Sequence, residues 1–200
     1  MNDLFGSAVL RVDQPRGAPG AQSRYKVFDG GGTLVATAAE RDVSRLRRTA
    51  RVVGGGGGSG RTVHVDSAQG VPLLAVEAGK GSAYETIKVS APGGAAIGAL
   101  QRVRQKAGYA FTLLDAAGNP IGQVDGGKRG YKFAVLDAHG NHLAQIDKKL
   151  KGVATELLTT ADRYSVGIFQ PLRDPFRALV PVTAIAIDLM YYEGKDWPIG

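Results

Sequence analysis

Phe111–Val124 reads FTLLDAAGNPIGQV, and Phe133–Ile146 reads FAVLDAHGNHLAQI. Each is an alternating apolar run, an Asp, a short turn containing Gly, and a second alternating run. An Asp or Ser at the first turn position accepts backbone N–H groups, and Gly takes the left-handed conformation that closes a hairpin with a bulge. Each stretch therefore predicts an antiparallel hairpin.

The same phrase recurs upstream as VHVDSAQGVPLLAV (Val63–Val76), IKVSAPGGAAIGAL (Ile87–Leu100) and VFDGGGTLVA (Val27–Ala36). Asp66, Ser90, Asp115 and Asp137 mark the turn starts, at intervals of 24, 25 and 22 residues. Five such units supply about ten strands, one hairpin and its connection per repeat. Further strands are expected at Ala8–Val12, Tyr25–Asp29, Leu46–Val53, Val153–Thr160 and Tyr164–Gln170. About a dozen strands with tight turns point to a closed meander, because closure removes the sheet edges. A propeller blade needs four strands and a longer period.

Alternation also assigns faces. Ile87 and Val89 point one way, Thr86 and Lys88 the other. Over Ile97–Val103, the apolar face is read as Ile97, Ala99 and Val103, which sends Arg102, and Arg104 and Lys106 beyond it, outward.

The chain of 200 residues is read as one domain, 1–200, a length at which a fold buries about 70% of its unfolded surface. Gly54–Gly60 (GGGGGSG) fits G-x-G-x-x-G formally, but the strand RTVHVD follows it rather than a helix. A phosphate needs a helix N-terminus there, so the run is read as a flexible loop between strands. Near the other end, Ala178–Tyr192 is apolar on nearly every side. Asp174–Pro175 is a good helix start, Asp as N-cap and Pro in the first turn. The segment contains Pro181 and Asp188, and its 15 residues fall short of the roughly 20 that span a bilayer. It predicts a buried helix over about 175–192, near 27 Å long, running through the barrel.

The terminal IDLMYYE (Ile187–Glu193) resembles the end of phospholipid scramblases. LRVDQ (Leu10–Gln14), YKVFDGGGTLVA (Tyr25–Ala36), the D-x-x-G hairpins and DRYSVGIFQP (Asp162–Pro171) are similar to LURP-one-related proteins. The resemblance spans about residues 8 to 193. It implies a mainly β, tubby-like closed antiparallel barrel of about twelve strands around a hydrophobic C-terminal helix. It also implies calcium-associated carboxylates before that helix. Only Asp162 and Asp174 remain there, with Arg163 and Arg173 interposed; calcium wants several oxygen ligands, so they are weak candidates and no metal or other cofactor is expected.

Catalysis is not expected either. Cysteine is absent, which removes thiol chemistry and Cys-bound metals. His139 and His142 sit around a turn, His64 alternates outward, and neither G-x-S-x-G nor a P-loop occurs. The better lead is charge. Lys+Arg 25 against Asp+Glu 18 gives +7, a balance that favours anionic partners. The basic residues cluster at Arg45–Arg51, Arg102–Lys106, Lys128–Lys132 and Lys148–Lys151. From these, Arg102, Arg104, Lys106, Lys128, Arg129, Lys132, Lys148, Lys149 and Lys151 form a candidate lipid-binding patch. Tubby domains bind phosphoinositide headgroups through such a patch, so the resemblance implies a peripheral contact with anionic phospholipid. The alternative is a protein-interaction or scaffold module whose basic surface is incidental. Nucleic acid is disfavoured, since Tyr109, Phe111 and Leu113 alternate as core rather than as stacking platforms. Met1–Val12 has Asp3 where an export signal wants positive charge, so a cytoplasmic location is expected, peripheral to membranes.

Overall fold

The computed structural model describes residues 3–15, 23–41, 60–79, 86–103, 108–149 and 160–191, without the side chains of 15 and 160–162. Twelve strands follow one another: β1 (Val9–Pro15), β2 (Arg24–Asp29), β3 (Leu34–Glu40), β4 (Arg61–Ser67), β5 (Pro72–Ala78) and β6 (Thr86–Ser90), then β7 (Ala96–Arg102), β8 (Ala110–Asp115), β9 (Pro120–Asp125), β10 (Lys132–Asp137), β11 (His142–Lys149) and β12 (Thr160–Ile168). Helix α1 (Phe176–Tyr191) follows. Each strand pairs antiparallel with its sequence neighbours, and β12 pairs with β1 to close the barrel. The expected strand Leu46–Val53, nearly all of Gly54–Gly60 and most of Val153–Thr160 lie outside the described residues.

The repeat is the hairpin. In β2–β3, β4–β5, β6–β7, β8–β9 and β10–β11 the register shifts at the same place, one residue before the turn. Such a bulge turns the chain without breaking the ladder. In four hairpins one side chain organises the turn: Asp29, Ser67, Asp115 and Asp137 each accept two backbone N–H groups, two and four residues ahead. Three residues after each stands a Gly with positive φ, among them Gly118 at 87° and Gly140 at 83°. Two expected turn starts move by one residue. Ser67, not Asp66, caps its hairpin, and Ala91, not Ser90, occupies the equivalent place, where Gly94 donates to Ala91. In both, two polar or small residues stand side by side, and the Gly with positive φ lies three residues after the second of them.

The helix runs inside the barrel. Every residue from Ala178 to Leu189 is buried, and α1 packs against β1, β5, β7 and β12. This explains its apolar character on all sides, since a helix surrounded by a sheet has no solvent face. It starts at Phe176 and continues through Pro181. No hydrogen bond to the Asp174 carboxylate occurs among the described residues; the carbonyls of Arg173 and Pro175 accept from the first helical amides. No helix among these residues is long and apolar enough to cross a membrane.

Strand β7 corrects one expected face. Gly98 and Leu100 are buried, while Val103 is 40% exposed. Inward therefore means Gly98, Leu100 and Arg102, the reverse of the assignment from alternation. The cause is Gly98. A Cβ there would meet the Leu114 carbonyl oxygen and lie 3.1 Å from Leu179 Cδ1 of the helix. An inward position occupied by Gly contributes nothing to an apolar count, so Ile97 and Ala99 outweighed it.

Candidate functional site

A meander has two rims. The five tight hairpins turn at one, and the connections β1–β2, β3–β4, β5–β6, β7–β8, β9–β10 and β11–β12 join the other. Because β12 ends at the hairpin rim, α1 enters there and its carboxyl end reaches the opposite rim. In sequence, all four basic clusters fall in or beside those connections, and their described members, Arg102, Lys128, Arg129, Lys132, Lys148 and Lys149, stand at that opposite rim. Arg45–Arg51 lies between β3 and β4, Arg102–Lys106 between β7 and β8, Lys128–Lys132 between β9 and β10, and Lys148–Lys151 between β11 and β12. Arg104, Lys106, Lys151 and Arg45–Arg51 lie outside the described residues. Arg24 and Arg61, the first residues of β2 and β4, join the same rim. Sequence reading missed both, because each stands alone rather than in a run.

The β9–β10 connection is the best-formed part of this rim. Tyr109 and the loop exchange two backbone hydrogen bonds, Gly126 N–H to the Tyr109 carbonyl at 2.7 Å and Tyr109 N–H to the Gly127 carbonyl at 3.0 Å. The Asp125 carboxylate accepts from Gly127 N–H at 2.8 Å. At Gly130, where φ is 66°, a Cβ would stand 2.7 Å from the Tyr109 ring. Only glycine permits both that backbone and that approach. The loop is thus seated on a tyrosine, while Lys128, Arg129, Tyr131 and Lys132 project into solvent, as Lys149 does on β11.

Three other cations turn inward at this rim. Arg61 is buried and its Nη1 donates to Ser23 Oγ at 3.2 Å. Arg102 lies over the ring of Tyr191, 4.9 Å from its centroid, and Lys148 lies 5.3 Å from the centroid of Tyr164. Tyr191 ends the helix, and it contacts Tyr109 and Phe111 edge-to-face at 4.6 and 5.3 Å. Burial raises the Tyr191 phenol above its ordinary pKa, and Arg102 pulls the other way. The helix carries no basic residue in its last turn. The barrel wall instead provides cations at the rim where the negative end of the helix dipole lies. Arg102 and Lys148 therefore have a structural task that the exposed cations lack.

The hairpin rim is different in kind. Asp29, Asp115 and Asp137 are committed to their own turns. Asp115 is held below the usual carboxylate range mainly by the Asn119 amide, and Asp137 in the same way by Asn141. Asp174 and Asp115 line a groove there with Ile97, Ala116, Ala117, Pro175 and Ala178. Asp162 lies near the start of β12, opposite Gln14, and six residues of strand, about 20 Å, separate it from the far end. The two weak calcium candidates are thus not brought together. Among the described residues no group of three or more His, Asp or Glu could hold a metal.

A closed twelve-strand antiparallel barrel threaded by an apolar helix, with Lys128, Arg129, Lys132 and Lys149 exposed at one rim, defines a mainly β, scramblase-like protein. A family model described as Scramblase matches residues 70–194, and the chain belongs to that family. The match begins within the β4–β5 turn and runs past the end of α1; β1 to β4 complete the same barrel ahead of it. The X-ray structure of an Arabidopsis thaliana protein superposes with a TM-score of 0.55 at 10% identity, covering 92% of this chain and 93% of that one. At that identity the likeness is one of fold. A LolA superfamily protein from Nitrosomonas europaea gives a TM-score of 0.24 at 14% identity over 86% of this chain and 88% of that one. No curated protein matches significantly. The resemblance to scramblases drawn from IDLMYYE holds at the level of family, and the expected closed barrel around a terminal helix holds at the level of fold.

Proposed function

We propose that the chain is a non-enzymatic module that docks peripherally on anionic phospholipid surfaces through its basic rim. The observation that supports this is topological: the described cations of three clusters separated in sequence, Arg102, Lys128–Lys132 and Lys148–Lys149, fall at one rim. The hairpin rim carries Asp115 and Asp137 beside Arg173 and Arg177, and so offers no comparable run of positive charge. A protein with this polarity has one favoured orientation on a negative membrane. Each basic residue held near such a surface contributes about 1 kcal/mol, and four exposed cations, Lys128, Arg129, Lys132 and Lys149, are available without disturbing the barrel.

Flotation with phosphatidylcholine vesicles, with and without phosphatidylserine, tests it. Binding should require phosphatidylserine and weaken between about 0.1 and 0.5 M salt, as screening shortens. Equal recovery with neutral and anionic vesicles, or none with either, refutes the proposal. The second reading, a protein-interaction module, rests on the exposed Phe169, Val71 and Val9 of the hairpin rim; it predicts no vesicle binding.

A further inference from the structure

We infer that Tyr131 and Val103 are the apolar contacts through which the basic rim enters the bilayer interface, so that docking is partly insertion and not only charge attraction. This rests on the membrane reading above and specifies where and how the surface engages. Five large apolar side chains are exposed among the described residues: Val9, Val71, Val103, Tyr131 and Phe169. Val9, Val71 and Phe169 lie at the hairpin rim, and Phe169 is covered on one side by the His142 ring at 4.9 Å. The two at the basic rim are Val103, 40% exposed, and Tyr131, 37% exposed.

Their placement is specific. Val103 stands directly after Arg102, and Tyr131 stands between Arg129 and Lys132. Strands β7, β8, β9 and β10 are successive neighbours in the barrel, so both residues belong to one sector of the rim, with the Tyr109 ring beneath the β9–β10 loop. Both backbones are fixed. Val103 N–H donates to the Ala110 carbonyl at 2.9 Å, and the Tyr131 carbonyl accepts from Lys148 N–H at 2.7 Å. A tyrosine flanked by cations on a rigid loop suits the headgroup level, where its ring meets acyl chains, its hydroxyl meets water, and the neighbouring charges meet phosphates. A loop already held in one conformation loses little entropy on entering the interface.

The test places the single tryptophan at this position, as Tyr131→Trp in a Trp197→Phe background, with vesicles of phosphatidylcholine and phosphatidylserine. Its emission should shift to the blue on binding and be quenched by lipids brominated on the acyl chain. Tyr131→Ala should weaken binding by roughly five- to tenfold, by a similar factor at low and high salt, because apolar burial is not screened. Phe169→Ser should bind like wild type. Salt-sensitive binding with unshifted emission and an unchanged Tyr131→Ala affinity overturns insertion and leaves electrostatic docking standing. Absence of vesicle binding by the wild-type protein overturns both.

Discussion

Tyr25 donates a hydrogen bond to Asp188 at 2.9 Å across 163 positions of sequence, joining the second strand to the last turn of the enclosed helix. Tyr164 of β12 donates to the other carboxylate oxygen, also at 2.9 Å. Asp188 is fully buried, so these donors replace water around a group that would otherwise oppose its own burial. Tyr25→Phe should destabilise the barrel by about 1–2 kcal/mol, and Asp188→Ala, which strips both hydroxyls of this acceptor, by about 2–4 kcal/mol. Urea unfolding measures both; a loss under about 0.5 kcal/mol for Asp188→Ala would mean the carboxylate does not hold the helix in place.

Gly98 marks where the helix comes closest to the wall. Gly98→Ala should cost about 1–3 kcal/mol through forced displacement, and Leu179→Ala should not rescue it, because the Leu114 carbonyl still obstructs the new methyl. Thermal melts of the single and double variants decide this. Full rescue by Leu179→Ala would show that the side chain, not the backbone, sets the limit.

The two kinds of cation at the basic rim should separate under mutation. Joint reversal of Lys128, Arg129 and Lys132 to Glu should weaken anionic-vesicle binding by about a hundredfold or more with little change in Tm. Arg102→Glu should lower Tm instead, since it places a carboxylate beside the Tyr191 ring and near the negative end of the helix. The opposite pattern, a stable Arg102→Glu and an unfolded triple variant, would invalidate the assignment of roles.

The turn aspartates predict an acid dependence. Asp115 and Asp137 titrate below an ordinary Asp in the folded chain because their carboxylates accept from Asn119 and Asn141 and from turn amides. A lowered folded pKa means stabilisation that is present above the unfolded value and lost as pH falls through the folded one. Asp115→Asn with Asp137→Asn keeps an acceptor oxygen but removes the charge. Wild type should therefore exceed the variant in urea midpoint near about pH 6 and converge with it toward about pH 2. A constant difference across that range would show that the charge is irrelevant.

Burial of the helix has its own consequence. Ile185 is 1% exposed in the barrel interior, and Ile185→Asp places an unpaired charge there. The cost, several kcal/mol against a total stability of about 5–15, should leave the chain unfolded by circular dichroism at neutral pH. A folded variant would indicate that water reaches the middle of the barrel.

Local rules made much of this protein legible from sequence alone. A turn residue, a Gly three places on and alternation on both sides depend only on neighbours in the chain, so the hairpins could be counted and the barrel inferred. The helix was legible because a segment apolar all round can lie only inside something. What neighbours do not determine is which side of a short, small-residue strand faces a partner distant in sequence. At β7 the approach of Leu179 to Gly98 decided that, and it turned Arg102 from a surface charge into a cover for Tyr191. The sequence likewise showed four basic clusters without their relation. The strand order brings Arg102, Lys128–Lys132 and Lys148–Lys149 to one rim, because an antiparallel meander returns alternate connections to the same end.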